Sequence, residues 1–349
     1  MNMKKTMRLA ALLSAAVLLF AGCGKKEENP SDNVELGEYK GLTISKYDLT
    51  VTDEDVNAKI ASFLQDNAKK NMVTDRAAEE GDEVVIDFEG SVDGETSEGM
   101  TGTDYTIESL CSGGYIQGFE EGIVGHKAGD EFVLDLQFPD PYRQNEELAG
   151  KPVTFKMKLK SIYTWEVPEY NDETVSAYAG YNTTQEYEEQ LKSDIAEEKA
   201  QNKDNSQKNE LWGKIVEASQ IREYPQEDVD SYVEDMKNYY QQYATLYQME
   251  YEDFIKTYTN FSTVSEAEEY MESEAKNYVK QSLVMKEIVK RENITINDDE
   301  YLSYCNKNMG LYGYETVEDF EAAYTRAGIE ESIYFEKMMD LLLSTAIEE

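Results

Sequence analysis

Few residues in this chain carry the groups of covalent or metal chemistry. Its 349 residues hold one histidine, His126, and three cysteines, Cys23, Cys111 and Cys305. His126 lies in Gly125-His126-Lys127-Ala128-Gly129-Asp130, a turn ahead of an expected strand, with no nucleophile evident beside it. Nucleophilic catalysis needs such a partner, so His126 reads as structural. One histidine and scattered cysteines give no metal-ligand spacing, and no metal or other cofactor is expected. Gly113-Gly114 is not followed by Gly-Lys-Ser/Thr, so it is no phosphate loop. The aromatic residues remain. Gly113-Gly114-Tyr115-Ile116-Gln117-Gly118-Phe119-Glu120-Glu121-Gly122 is punctuated by glycine, and Tyr142 follows Phe138-Pro139-Asp140-Pro141. Loops of this kind around Tyr115, Phe119 and Tyr142 favour a binding surface. For Phe88 and Phe155, an ordinary core and a pocket floor serve equally well.

These aromatics need a scaffold, and the flanking sequence supplies strands. Gly81-Asp82-Glu83-Val84-Val85-Ile86-Asp87-Phe88-Glu89-Gly90 reads as a strand between turns. In Lys151 to Ile162, apolar Val153, Phe155, Met157 and Leu159 alternate with polar residues, so one face is buried and one wet. Upstream, Val34 to Ile44 reads as a strand pair or an extended arm. A helix then starts at Thr52, with Asp55 three residues on and acids in its first turn. Val56, Ile60, Phe63 and Leu64 are its apolar face, and its end is expected near Lys69 or Lys70.

After Pro168 the texture is helical. Helices are expected from Thr184, near Leu211, after Pro225, from Glu266 to Arg291, after Asn297 and over Ile333 to Leu342. Tyr232, Met236, Tyr239, Tyr243 and Leu246 form a heptad-like stripe. Helix–helix core is the plainer account of each such residue. Together, Tyr and Met also suit varied apolar partners. The sequons at Asn182, Asn260 and Asn293 read as chance.

The first residues form a leader. Lys4, Lys5 and Arg8 precede the apolar run Leu9 to Phe20, too short for a comfortable membrane span. It ends Phe20-Ala21-Gly22-Cys23, which resembles the bacterial lipobox, with Phe20 in place of the usual leucine. The resemblance implies cleavage before Cys23 and its acylation. Residues 23–33 then read as a tether. The location expected is the extracytoplasmic face of the cell membrane, through a lipid anchor.

Charge narrows the partners. The chain has 72 acidic and 33 basic residues, a net charge of −39. Binding nucleic acid through phosphate neutralisation is excluded. The 26 tyrosines and 13 methionines suit weak contacts with polypeptides or a half-wet helical core. Three cysteines are no disulfide framework. A Cys111–Cys305 bridge is allowed by count, but two free thiols fit better.

Four blocks in order carry a family resemblance. They are Leu36-Gly37-Glu38-Tyr39-Lys40-Gly41-Leu42, Val51-Thr52-Asp53-Glu54-Asp55-Val56, Arg76-Ala77-Ala78-Glu79-Glu80-Gly81-Asp82, and Gly118-Phe119-Glu120-Glu121-Gly122 running on to Asp130. The chain resembles trigger factor, a bacterial chaperone with an FKBP-type peptidyl-prolyl isomerase domain. The likeness is close over residues 34 to about 165 and looser beyond. No counterpart of the family's ribosome-docking domain is expected, and so no ribosome contact. The resemblance implies an α+β fold: an FKBP-like antiparallel sheet wrapped on a short helix, then an all-α domain of helical arms. The expected divisions are leader 1–22, tether 23–33, arm and helix 34–78, isomerase domain 79–165 and chaperone domain 166–349.

The resemblance also implies a site. Phe88 matches the aromatic wall on the first strand, Glu98 the loop acid, and Tyr105 an aromatic on the next strand. Tyr115 and Ile116 match a pair whose second backbone N–H meets a substrate carbonyl. Phe119 matches the pocket floor, Tyr142 a hydroxyl donor and Phe155 the last-strand aromatic. Ser97 stands where the family has a large aromatic, so one wall is open. Prolyl isomerisation crosses an amide barrier of roughly 18–20 kcal/mol and limits folding. Its catalyst must bind the twisted amide better than the planar one, and an apolar cup that excludes water does so. The function expected is a membrane-anchored folding factor acting on Xaa-Pro segments of unfolded or newly exported polypeptides. The alternative is a non-catalytic peptide-binding chaperone with a degenerate pocket. A structural or adhesive surface lipoprotein is a third reading.

Overall fold

The computed structural model describes residues 33–349, apart from the side chains of Ser97 and Glu98. The expected leader, Cys23 and nearly all of the tether lie outside the described residues. In chain order the elements are β1 (Val34–Glu35), β2 (Thr43–Ile44), α1 (Asp53–Asp66), β3 (Lys69–Val73), β4 (Glu83–Val92), β5 (Glu95–Ile107), β6 (Glu131–Gln137) and β7 (Pro152–Glu166). Then come α2 (Asp172–Tyr178), α3 (Thr184–Ala218), β8 (Gln220–Ile221), α4 (Gln226–Leu246), α5 (Tyr251–Tyr258), α6 (Val264–Arg291), α7 (Asp298–Asn308), α8 (Val317–Tyr324), α9 (Arg326–Leu343) and β9 (Ile347–Glu348). The fold is α+β, as expected: an FKBP-like sheet followed by a helical domain.

Two compact units divide the chain. One comprises residues 49–198; the other joins 33–48 to 199–349. This division differs from boundaries at 78/79 and 165/166, and packing explains why. Val56 and Ile60 of α1 are buried with Leu191 and Ile195 of α3, and Lys59 pairs with Glu198 at 2.8 Å. The sheet unit therefore takes in α1, α2 and the front of α3.

In the sheet unit, β7 is central. β4 runs antiparallel along one side with β5 beyond it, and β6 and β3 also pair antiparallel with β7. Val153, Phe155, Met157 and Leu159 are all buried, as the alternation predicts. Each contributes about 1.5–3 kcal/mol by leaving water. α1 has the capping box read from sequence: the Asp55 N–H donates to Thr52 Oγ1 at 3.2 Å, and the Thr52 N–H to Asp55 Oδ2 at 2.9 Å. The helix ends at Asp66 rather than at Lys69–Lys70. Those lysines open β3, because Lys69–Val73 pairs with Ile162–Glu166 and buries Val73 in the core. Lys70 also pairs with Glu83 at 2.5 Å and lies 4.3 Å from the Tyr163 ring centroid.

The short helix under the sheet is a run of turns. Phe119 N–H donates to Ile116 O, Gly122 to Gly118, Ile123 to Glu120 and His126 to Ile123. Three of these acceptors are at i−3 and one at i−4, and Gly118 has φ +89°, so no regular helix is sustained. His126 stacks on Phe132 at 3.7 Å, a packing role.

In the helical unit the arm is sewn to distant chain. β1 and β2 do not pair with each other: Val34 faces Ile221 antiparallel and Thr43 faces Ile347 in parallel. Val34 and Ile44 are buried with Leu211, Ile215, Ile288 and Met339, and that burial outweighs a local hairpin. The helices expected at Thr184 and Leu211 are one 35-residue α3. The intervening sequence is polar but has no proline, and polar residues with long side chains sustain a helix. Along the α4 stripe, Tyr232 and Met236 pack inward, while Leu246 is 72% exposed. Asn297 and Glu300 form a capping box at α7. Cys111 and Cys305 are both free thiols.

Candidate active site: an aromatic cup on the sheet

Five of the eight aromatic or contact positions read from the sequence meet in one cluster. Phe88 comes from β4, Tyr105 from β5, Phe155 from β7, and Tyr115 and Phe119 from the run of turns. Phe88 makes edge contacts with Tyr105 at 5.5 Å, Phe119 at 5.7 Å and Phe155 at 6.2 Å between centroids. Phe119 meets Phe155 edge-on at 5.0 Å and Tyr115 stacks on Phe119 at 5.2 Å. Phe119 and Phe155 are buried and form a floor, whereas Tyr105 and Tyr115 are exposed at the rim.

A bulge aims these rings. On β4, Ile86 pairs with Tyr105 but Phe88 pairs with Gly102. Asp87 alone on β4 thus faces Thr103 and Asp104 on β5, which bends and twists the pair locally. Asp104 takes φ +51° there, and its N–H donates to Asp87 Oδ1 at 2.8 Å. Gly102 leaves room for the Phe88 ring: a Cβ on it would lie 2.4 Å from Phe88 Cε1.

Buried polar groups tie the loop that carries Tyr115 and Ile116. The Glu120 carboxylate, 3% exposed, accepts from the Gly113 N–H at 3.1 Å and from Ser112 Oγ–H at 3.5 Å. At the loop's start, Leu110 N–H donates to Asp82 O and Gly81 N–H to Leu110 O. The Asp82 carboxylate accepts both Arg76 guanidinium nitrogens, at 2.5 and 2.8 Å, and the Glu79 N–H at 2.9 Å. Burial pushes the Asp82 carboxyl up, but Arg76 and the Glu79 N–H outweigh it and leave it below its usual value. Burial, then the Tyr105 hydroxyl, push the Tyr115 hydroxyl up.

The remaining positions are less central. Ile116 packs half-buried on the core, and its N–H makes no hydrogen bond among the described residues. Tyr142 packs on Phe138 at 5.0 Å, and its hydroxyl donates to Gln144 Oε1 at 3.0 Å. The Glu98 and Ser97 side chains lie outside the described residues. Met100 packs against the same core. Gly102 and Glu120 were not legible as site residues. The glycine between two threonines has no pattern of its own, and Glu120 looks like any solvated acid in Phe119-Glu120-Glu121.

The sheet and cup define a class. The family model for FKBP-type peptidyl-prolyl cis-trans isomerases matches residues 74–160, and the model for the bacterial trigger factor C-terminus matches residues 183–344. This is an FKBP-type isomerase domain joined to a chaperone-type helical domain. Among curated proteins, the trigger factor of Agathobacter rectalis is 33% identical over 319 residues, covering 90% of this chain and 70% of that protein. The trigger factor of Bacillus subtilis is 36% identical over 313 residues, covering 89% and 72%. That of Clostridioides difficile is 33% identical over 318 residues, covering 89% and 72%. The chain belongs to the trigger factor family.

Proposed function

We propose that this chain is an extracytoplasmic, lipid-anchored folding factor that isomerises Xaa-Pro bonds and holds unfolded segments of exported polypeptides. The observation that carries the isomerase part is the convergence of Phe88, Tyr105, Tyr115, Phe119 and Phe155 into one cup. A prolyl ring resting on Phe119 and Phe155 leaves water, which otherwise stabilises the polarised planar amide. The Ile116 N–H is a donor for a neighbouring carbonyl. Differential binding of the twisted amide lowers the barrier with no nucleophile and no proton transfer.

For the holding function, the helical unit offers a cleft of about 720 Å³ beside Tyr232, Tyr278, Met285 and Tyr334. For the anchor, support comes from the basic start, the short apolar run and Cys23 in the sequence. Among the described residues no helix is long and apolar enough to cross a membrane. A non-catalytic chaperone is the second reading, favoured by Ser97 in place of a wall aromatic.

Two measurements test these proposals. Catalysed cis–trans exchange of a proline peptide is measured for the parent and for Ser97→Phe. Activity in the parent is expected, rising in the variant; a silent parent with a gain in Ser97→Phe selects the non-catalytic reading. Membrane fractionation of the parent against Cys23→Ala tests the anchor. Release of the variant into the soluble fraction is expected, and identical partitioning would sink the lipoprotein proposal.

A further inference from the structure

We infer that the Tyr105–Tyr115 hydroxyl pair is a substrate-facing hydrogen-bond donor, which binds a backbone carbonyl flanking the proline. It rests on the reading of the cup as an Xaa-Pro site, and it names the polar group that orients the peptide there.

Counting protons leads to it. The two hydroxyl oxygens are 3.0 Å apart. One O–H···O contact uses one proton. A hydroxyl carries one donor and two acceptor sites, so a pair sharing a single bond keeps one proton over. Neither hydroxyl has another hydrogen-bond partner among the described residues. Tyr105 is 40% exposed and Tyr115 36%, so the spare donor is at the rim, where the apolar floor gives way to water. Both rings are fixed from below, Tyr105 edge-on against Phe88 and Tyr115 flat on Phe119. A donor held this way loses little freedom when it binds. The other hydroxyl assigned to the site, on Tyr142, is already donated to Gln144.

Tyr105 and Tyr115 divide the work. With Tyr115 donating to Tyr105, the Tyr105 hydroxyl meets the peptide and Tyr115 is a positioning residue. A tyrosine hydroxyl ordinarily titrates near 10, and burial pushes that of Tyr115 up, so it is a donor at neutral pH. A donated bond also polarises the accepting hydroxyl and strengthens its own donation.

The test uses the full chain with Tyr105→Phe, Tyr115→Phe, the double variant and Tyr142→Phe. Catalysed exchange of an Xaa-Pro peptide and its binding are both measured, together with binding of an analogue whose flanking carbonyl is reduced to methylene. A lost neutral hydrogen bond is worth about 0.5–1.5 kcal/mol, so Tyr105→Phe should lose about threefold to tenfold in binding or kcat/KM, and Tyr115→Phe, which keeps the donor but not its orientation, a smaller part of that. The double variant should lose no more than Tyr105→Phe alone, because the two hydroxyls act as one donor. The analogue should bind the parent more weakly than the peptide does, and Tyr105→Phe should not discriminate between them. Unchanged single variants, losses that multiply in the double, or a loss at Tyr142→Phe with none at Tyr105→Phe would overturn the inference and leave the isomerase reading intact. A parent that neither binds nor isomerises the peptide would overturn both.

Discussion

At Gly102, a methyl group would stand 2.4 Å from Cε1 and 2.8 Å from Cζ of Phe88. The ring must move if alanine is placed there, and the central wall of the cup moves with it. Gly102 has no positive φ, so the backbone itself tolerates alanine. Gly102→Ala is therefore expected to lower isomerase kcat/KM about tenfold to hundredfold, as misplacement of a reacting geometry by about 1 Å does, with a small change in melting temperature. Proline-peptide exchange and calorimetry on the same sample check this. A second residue-scale expectation concerns Asp82. Its folded pKa is depressed, so its ion pair with Arg76 contributes stability that is complete above the unfolded value of about 3.9 and is lost as pH falls through the folded value. Asp82→Asn should lower the melting temperature at neutral pH and flatten its fall below about pH 4. Thermal melts from pH 7 to pH 2 decide it. Equal acid slopes in parent and variant would assign the acid sensitivity elsewhere.

At the scale of elements, the arm 33–48 is held by a few specific bonds. The Glu210 carboxylate of α3 accepts from the Ser45 N–H at 2.9 Å and from Lys214 Nζ at 2.7 Å. Lys214 and the Ser45 N–H hold the Glu210 carboxyl at about 2. The sign is again that of a depressed acid: the tether is complete above the unfolded value of about 4.3 and lost as pH falls through about 2. Glu210→Gln keeps an acceptor but removes the charge. Protection of the Ser45 amide from hydrogen exchange should drop in that variant at neutral pH and lose its dependence on pH below about 4. Exchange read by NMR checks both. α3 teaches a related lesson about length. Its start is fixed locally, since the Glu186 N–H donates to Thr183 Oγ1 and the Thr184 N–H to Asp172 Oδ1. Its continuation through the polar stretch is sustained at both ends, by Leu191 and Ile195 in one unit and by Leu211 and Ile215 in the other.

The whole molecule has separate cores in its two units. Phe119 and Ile86 belong to the core of the sheet unit, and Ile44 and Met339 to the main core of the helical unit. Two melting transitions are expected. Phe119→Ala should cost the sheet unit about 3–5 kcal/mol and Ile44→Ala the helical unit about 2–5 kcal/mol, each by a lost transfer term and a cavity. Differential scanning calorimetry should show each variant shifting one transition and sparing the other. A single transition shifted by both would mean the units unfold together. The stretch 166–349 is not the whole of the helical unit, since Val34 and Ile44 belong to its core.

Local chemistry was enough to set some features from the sequence alone. The period-two run from Val153 to Leu159 fixed a strand and its buried face, because side chains alternate about a strand whatever surrounds it. Thr52 with Asp55 fixed one helix start, because a capping box closes within four residues. The absence of a nucleophile pair, a phosphate loop and metal spacing left aromatic chemistry as the candidate, and ordered blocks of residues marked the family. Tertiary structure decided what depends on distant partners. Lys69–Val73 became a strand only because Ile162–Glu166 lay open beside it. The arm found its partners at Gln220–Ile221 and Ile347–Glu348, more than 180 residues away for the first and about 300 for the second. Gly102 and Glu120 acquired roles at the cup through a bulge and a buried loop contact, and the rim hydroxyls of Tyr105 and Tyr115 met because β5 lays Tyr105 on Phe88, the run of turns lays Tyr115 on Phe119, and those two phenylalanines touch. Such encounters carry no local periodicity. They are set by which apolar faces bury together, and only the folded chain expresses that.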